Sequence, residues 1–86
     1  MDVETAAGYI VRRLLDQAGH DVTGRRGVLT VPRTQATADA LRCRLMLFAE
    51  HHGPWFDRTG CWAELAAEVY RLGEITAGLL EGADRG

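Results

Sequence analysis

Three stretches of the chain repeat apolar residues at intervals of three and four, the spacing that places side chains on one face of an α-helix. In the first stretch the repeated positions are Val3, Ala7, Ile10, Leu14 and Ala18. Asp2 precedes this stretch and is a favourable N-cap, while Gly19 follows it and is a residue type that commonly ends helices. The pattern therefore predicts a first helix over residues 3–18.

The second stretch, over residues 35–52, carries apolar side chains on more than one face. One stripe is formed by Ala38, Leu41, Leu45, Phe48 and His52. Cys43, Met46 and Leu47 lie outside that stripe. With Thr34 as its N-cap and Gly53-Pro54 as its stop signal, the pattern predicts a helix that is covered on two sides or contacts a partner chain.

The third stretch predicts a helix that runs to about residue 81, with Asp57 or Thr59 as its N-cap. Its apolar stripe comprises Trp62, Leu65, Val69, Leu72, Thr76 and Leu79, and we expect Trp62 in the core. Small residues, Ala66, Gly73 and Ala77, form a neighbouring stripe. Glycine costs about 1 kcal/mol against alanine inside a helix, so Gly73 indicates a close approach by another helix.

The segment between the first two helices contains β-branched residues around a glycine-bracketed tip. Val22 and the run Val28–Val31 predict two short strands, and Gly24 and Gly27 permit the positive φ of a tight reversal. We therefore expect an α+β fold, mostly helical, in α-β-β-α-α order with a two-stranded hairpin between helix 1 and helix 2. The domain is expected over residues 1–82, with a flexible tail over residues 83–86.

Composition is that of one small globular domain. The 86 residues are 47% hydrophobic, and a chain of this length has only a small core. The start of the chain is acidic, unlike a signal peptide, and no apolar run approaches 20 residues. We therefore expect a cytoplasmic protein with no membrane association.

Candidate catalytic and metal-binding residues do not form a recognisable motif. Residues of metal-ligating type are close in sequence: Cys43, His51, His52, Asp57 and Cys61. None of their spacings is typical of a zinc site, and both cysteines are expected to be reduced thiols. The chain has no serine nucleophile, and nothing nearby would activate a cysteine. We expect a non-enzymatic protein with no cofactor and no bound metal.

Charge is distributed unevenly along the chain. All ten basic residues are arginine, which a GC-rich genome such as that of an actinobacterium or its phage explains. Residues 25–44 contain five arginines and one aspartate, whereas residues 59–86 contain five acidic residues and two arginines. The basic segment favours an acidic partner, and the alternatives are internal salt bridges or head-to-tail contact between subunits.

The hairpin tip is the predicted partner-binding site, because forked arginine side chains suit carboxylates and phosphates. The predicted contact residues are Arg25, Arg26, Val28, Leu29, Thr30, Val31 and Arg33. The favoured function is non-catalytic docking, in which an acidic peptide or protein lies against the hairpin. Nucleic-acid binding through residues 25–44 is the alternative, opposed by a pI near 5.8. A purely structural subunit is the third hypothesis.

A homodimer is also expected, because a chain this short with so much apolar helix surface gains stability by self-association. The predicted dimer interface comprises Met46, Leu47, Trp55, Phe56, Ala66, Gly73 and Ala77.

Residues 6–52 resemble the TubC-type N-terminal docking domains of peptide and polyketide assembly lines. The shared features are Leu14-Leu15 before Gly19, the run Val28–Val31, and a helix with Leu41-Arg42 and Leu45. The resemblance implies an α-β-β-α-α homodimer whose basic hairpin binds the acidic C-terminal tail of an upstream protein. Here a long third helix follows instead of the condensation domain of that family, so the resemblance covers about half of the chain.

Overall fold

The protein folds as a bundle of three α-helices. The computed structural model describes residues 2–56 and 61–85, with only the backbone described for residues 53–56 and residue 61. Helix α1 spans Val3–Thr23, α2 spans Gln35–Phe56 and α3 spans Cys61–Arg85, and a single 3-10 turn occupies Val28–Thr30. Each helix contacts the other two.

The helices alternate in direction. Asp21 near the end of α1 binds Arg44 of α2, whereas Ile10 faces the later residues His51 and His52, so α1 and α2 are antiparallel. Gln35 at the start of α2 binds Asp84 at the end of α3, so this pair is antiparallel as well. The chain therefore runs up, down and up, and α1 and α3 are parallel.

The core contains part of each stripe that the helical spacing predicted. The buried hydrophobic residues of α1 and α2 are Ala7, Val11, Leu14, Ala18, Ala38, Leu41 and Leu45. Helix α3 adds Val69, Ala77 and Leu80. The predicted stripe of α3 included Leu79, and this prediction is wrong. Leu79 is 70% exposed, and its neighbour Leu80 is buried instead. The buried positions of α3 are Val69, Gly73, Ala77 and Leu80, so the core side of this helix combines the predicted stripe with the neighbouring stripe of small residues.

Helix α1 begins where predicted but ends later. Oδ1 of Asp2 accepts a hydrogen bond from the amide of Thr5 at 2.7 Å, which confirms the N-cap. The predicted end at Gly19 is wrong, because the helix continues to Thr23 and Gly24 supplies the left-handed cap with φ of +74°. Gly19 is instead buried against Val31, where a Cβ would lie 2.8 Å from Cγ2 of that valine.

The predicted hairpin is absent, and with it the α-β-β-α-α order and the α+β class. No strand occurs within residues 2–56 or 61–85. The elements in these ranges are three α-helices and one 3-10 turn. Val22 and Thr23 belong to the last turn of α1, so the first strand has no residues left to form it. Val28–Val31 then has no partner for a ladder, and a two-stranded ribbon alone is marginal in water.

Helix α2 begins after Thr34, as predicted, since Oγ1 of Thr34 accepts from the amide of Thr37 at 3.3 Å. The predicted stop at Gly53-Pro54 is wrong, because α2 continues to Phe56. A proline in the last turn of a helix removes only one backbone hydrogen bond, so the helix can pass through it. Helix α3 continues to Arg85, beyond the predicted domain end at residue 82.

Helices α2 and α3 approach closely at Gly73. This glycine is buried, and a Cβ built on it would lie 2.6 Å from both Cδ atoms of Leu45. The hydroxyl of Tyr70, one turn earlier in α3, donates to the carbonyl of Leu45 at 3.5 Å. The close approach predicted from Gly73 is therefore found between helices of the same chain.

A polar network joins the start of α2 to the end of α3. Arg42 donates to Glu74 and to Glu81, and the Gln35 side chain donates to Glu81 at 2.9 Å. The backbone amide of Gln35, which has no partner within α2, donates to Asp84. The Arg42 and Gln35 hydrogen bonds lower the pKa of Glu81 to about 2.

Two glycines of α3 provide a matched test of the packing. Gly73→Ala is expected to lower the free energy of unfolding by about 1 kcal/mol, because overpacking against Leu45 outweighs the gain in helix propensity. Gly78→Ala is expected to raise it by about 0.5–1 kcal/mol, since a Cβ at Gly78 meets no atom within 4 Å. Urea denaturation of both variants measures the difference. Equal stabilisation by the two substitutions would contradict the close α2–α3 contact.

Stability is expected to fall in acid through Glu81. Its pKa is about 2 in the folded protein against 4.5 ordinarily, so its contribution is complete above pH 4.5 and is lost as the pH falls toward 2. Glu81→Gln should therefore flatten this part of the pH dependence of the unfolding free energy. The control is Glu64→Gln, at an exposed position of α3, which should leave the slope unchanged. A slope that is the same in wild type and Glu81→Gln would exclude this role of Glu81.

Candidate functional site

The segment that connects α1 to α2, residues 24–34, is held against α1 by a few specific contacts. The amide of Gly27 donates to Oδ1 of Asp16, and the hydroxyl of Thr30 donates to the carbonyl of Gly27 at 2.7 Å. Val31 packs on the bare backbone of Gly19. Gly27 has φ of +124°, a conformation that favours glycine. These contacts give the connection a defined shape without a strand.

Most of the predicted partner-binding residues lie on the outside of this connection. Leu29 is fully exposed, and Val28 is 43% exposed. Arg25, Arg26, Thr30 and Arg33 are also exposed. Val31 is the exception, since it is half-buried against Gly19. A solvent-facing leucine and valine beside arginines form a surface that a partner with apolar and acidic groups would complement.

The basic segment 25–44 divides into paired and unpaired arginines. Arg42 is paired with acidic residues of α3, and Arg44 makes two hydrogen bonds to Asp21, of 2.6 and 2.7 Å. Those hydrogen bonds hold the pKa of the Asp21 carboxyl below its ordinary value. Arg25 and Arg26 have no ion pair within the part of the chain that the structure describes. Within the described residues, the unpaired arginines of the basic segment therefore lie in the connection.

Helix α1 adds two further arginines to the unpaired set. Arg12 and Arg13 are exposed and have no ion pair among the described residues. Both line a shallow depression with Gly27 and Val28, and Arg13 lines a second depression with Arg26 and His20. We call Arg12, Arg13 and Arg26 the arginine surface. It joins the α1 helix to the connection that follows it.

Asp16 is the acidic residue that lines both depressions of the arginine surface. It stands four residues after Arg12, a spacing that allows an ion pair on a helix. No ion pair forms between these two side chains, and Oδ1 of Asp16 accepts from the Gly27 amide instead. Asp16 thus fixes the connection and leaves Arg12 available to a partner.

A larger groove of about 620 Å³ runs between α1 and α2. Its apolar lining is Ile10, Leu14, Leu47 and Phe48, and its polar lining is Arg13, Gln17, Arg44, His51 and His52. The rings of Phe48 and His52 lie 4.9 Å apart. No acidic side chain lines the groove among the described residues. Arg13 belongs both to this groove and to the arginine surface, so the two features are continuous.

The residues predicted to form a dimer interface are dispersed. Gly73 and Ala77 are buried within the chain itself, where they pack in the bundle, and Ala66 is half-buried. Met46 is 61% exposed and Leu47 is 42% exposed, so these two residues of α2 are accessible to another chain. The side chains of Trp55 and Phe56 lie outside the described part of the structure. The homodimer remains a prediction.

The described residues of metal-ligating type do not form a cluster. Among the described residues, no three histidine, cysteine or acidic side chains lie close enough to hold a metal ion. Cys43 is exposed on α2. Asp57 and the side chain of Cys61 fall outside the described residues. Within the same residues, no helix combines the length and apolar character needed to cross a bilayer.

Comparison with known proteins finds no match at the level of family models, curated proteins or solved structures.

The sequence pattern missed the α1 half of the site. Arg12, Arg13 and Gln17 fall on the polar side of a regular amphipathic helix, a position that by itself predicts only exposure. One signal did point to the groove, since the second helix has apolar residues outside its main stripe. Leu47 is one of them, and it lines the groove.

Asp16→Ala is expected to loosen the connection without unfolding the bundle. Loss of the hydrogen bond to Gly27 should remove about 1 kcal/mol of local stability, equivalent to about fivefold faster hydrogen exchange at the Gly27 amide. Asp16→Asn is the matched control, because it retains a side-chain oxygen as acceptor. Exchange measured by NMR should therefore be faster in the alanine variant only, and unchanged exchange in both would show that the contact does not hold the connection.

Proposed function

We propose that the protein is a non-catalytic interaction module that binds an acidic segment of another protein through the arginine surface. The observation that carries this proposal is the separation of paired from unpaired cations. Arg42, Arg44 and Arg71 bind carboxylates of their own chain, whereas Arg12, Arg13 and Arg26 have no ion pair among the described residues. Unpaired guanidinium groups can each form forked hydrogen bonds to a carboxylate of a partner.

Exposed apolar side chains next to these arginines support a protein partner. Val28 lines the same depression as Arg12 and Arg13, and Leu29, the next residue, is fully exposed. Apolar contacts stabilise protein interfaces when they are desolvated, and charged groups at the edge select the partner. Partner binding by addition of a strand is not part of the proposal, because the connection contains no strand.

The proposal is tested with a fluorescent peptide of mixed glutamate and leucine residues. Arg13→Ala/Arg26→Ala should weaken its binding about tenfold, since two exposed ion pairs contribute about 0.7 kcal/mol each. Arg71→Ala/Arg85→Ala removes the same charge from α3 and should leave the affinity nearly unchanged. Fluorescence anisotropy measures both, and binding should weaken as salt rises from about 0.05 M to about 0.3 M.

A short DNA duplex and a lysine-leucine peptide serve as further probes in the same assay. The lysine-leucine peptide should not bind. An equal loss of affinity in both double variants would contradict the arginine surface as the site. Tighter binding to DNA than to the acidic peptide, with a steep dependence on salt, would favour the nucleic-acid hypothesis instead.

A further inference from the structure

We propose that the groove between α1 and α2 receives an amphipathic α-helix of the partner, with acidic residues flanking an apolar stripe. This inference rests on the proposed function and specifies the partner segment that the arginine surface selects. The groove volume of about 620 Å³ is within the range of volumes that is typical of ligand-binding pockets. All of its described lining residues belong to α1 and α2 and recur one turn apart on each helix, so we describe the groove as a channel that follows these two helices.

The lining residues explain why the occupant is apolar along one face. Ile10, Leu14, Leu47 and Phe48 contribute side chains from both walls. Leu47 lies outside the main apolar stripe of α2 and is 42% exposed, whereas the stripe residues Leu41 and Leu45 are almost fully buried. Covering Leu47 and the neighbouring ring of Phe48 removes apolar surface from water, which supplies a non-directional stabilisation.

The charges at the groove explain why the occupant is acidic beside its apolar face. Arg13 borders the groove without an ion pair of its own among the described residues, and Arg44 borders it with a carboxylate partner, Asp21. His51 and His52 complete the polar lining at the other end. No acidic side chain of the described residues lines the channel, so a partner's glutamates or aspartates would meet Arg13 and Arg44 and no repelling carboxylate of the lining.

The backbone of the groove explains why the occupant is helical. Both walls are α-helices, whose amide and carbonyl groups are already bonded within each helix. An extended peptide in the channel would leave its own backbone groups without partners, whereas a helix satisfies its backbone internally. The side chains of two antiparallel helices also form ridges and grooves against which another helix packs. The partner's helix would then be the fourth helix, as in a four-helix bundle.

The dimensions match a short helix. Arg44 and His52 mark the two ends of the α2 wall, and the eight helical steps between these residues span about 12 Å. Just over two helical turns of the partner would therefore lie in the channel, with apolar positions at i, i+3 or i+4, and i+7. The arginine surface continues from Arg13 toward the connection, so it would contact acidic residues just beyond that segment.

Two synthetic peptides of about 18 residues and identical composition test the inference. In one, leucines recur every three or four residues among glutamates; in the other, the same leucines and glutamates are reordered so that the leucines fall on all sides of a helix. The helical pattern should bind about tenfold more tightly and should gain helical circular dichroism on binding, because only it can present a continuous apolar stripe to the channel. Equal affinity for the two peptides would overturn the helix-in-groove inference.

Leu47→Gln should weaken binding of the helical-pattern peptide about tenfold. Met46→Gln is the matched control, because Met46 is the neighbouring residue of α2, is more exposed than Leu47, and does not line the groove. Circular dichroism of the free variants checks that both remain folded. Equal effects of the two substitutions would place the peptide outside the groove and contradict the inference.

The same measurements distinguish failure of the groove inference from failure of the proposed function. If both peptides bind equally and Arg13→Ala/Arg26→Ala still weakens them, the proposed function stands and the groove inference fails. If neither peptide binds, both proposals fail. Sedimentation of the protein alone is a separate check, because a dimer that Leu47→Gln dissociates would show that a second copy of this chain occupies the groove.

Discussion

The close approach of α2 and α3 at Gly73 is the contact on which the rest of the bundle depends. Because Gly73 has no side chain, Leu45 can lie directly on the backbone of α3, and the two helices pack with little space between them. This contact sets the alignment that brings Arg42 to Glu81 and Gln35 to Asp84. The same alignment leaves Leu47, which lies outside the stripe of Leu45, in the lining of the groove between α1 and α2, with Phe48 beside it.

Ion pairs within the chain then determine which charged surface remains accessible to a partner. Acidic residues are concentrated in the last third of the chain, and Glu74 and Glu81 of that segment are bound by Arg42 of α2. Some of the basic and acidic residues therefore neutralise each other within the molecule. Among the described residues, the arginines of α1 and of the connection have no ion pair, and Arg12, Arg13 and Arg26 of this group form the arginine surface.

Local sequence signals predicted the helices well and the connection poorly. Asp2 and Thr34 identified two helix starts because an N-cap is a contact within four residues of chain. Glycine can end a helix, but α1 passes through Gly19, and that glycine instead contacts Val31, twelve residues farther along the chain. Val28–Val31 has strand propensity, but propensity does not form a ladder once α1 has taken the residues that would pair with it.

The alternation of helix direction has a consequence for anything attached to the chain. Val3 and Arg85 lie at opposite ends of a bundle 40 Å long, because α1 and α3 run in parallel. Domains or fluorophores joined at these two positions would be held apart at roughly the length of the bundle rather than side by side. Energy transfer between two such labels would therefore report on whether the bundle remains folded.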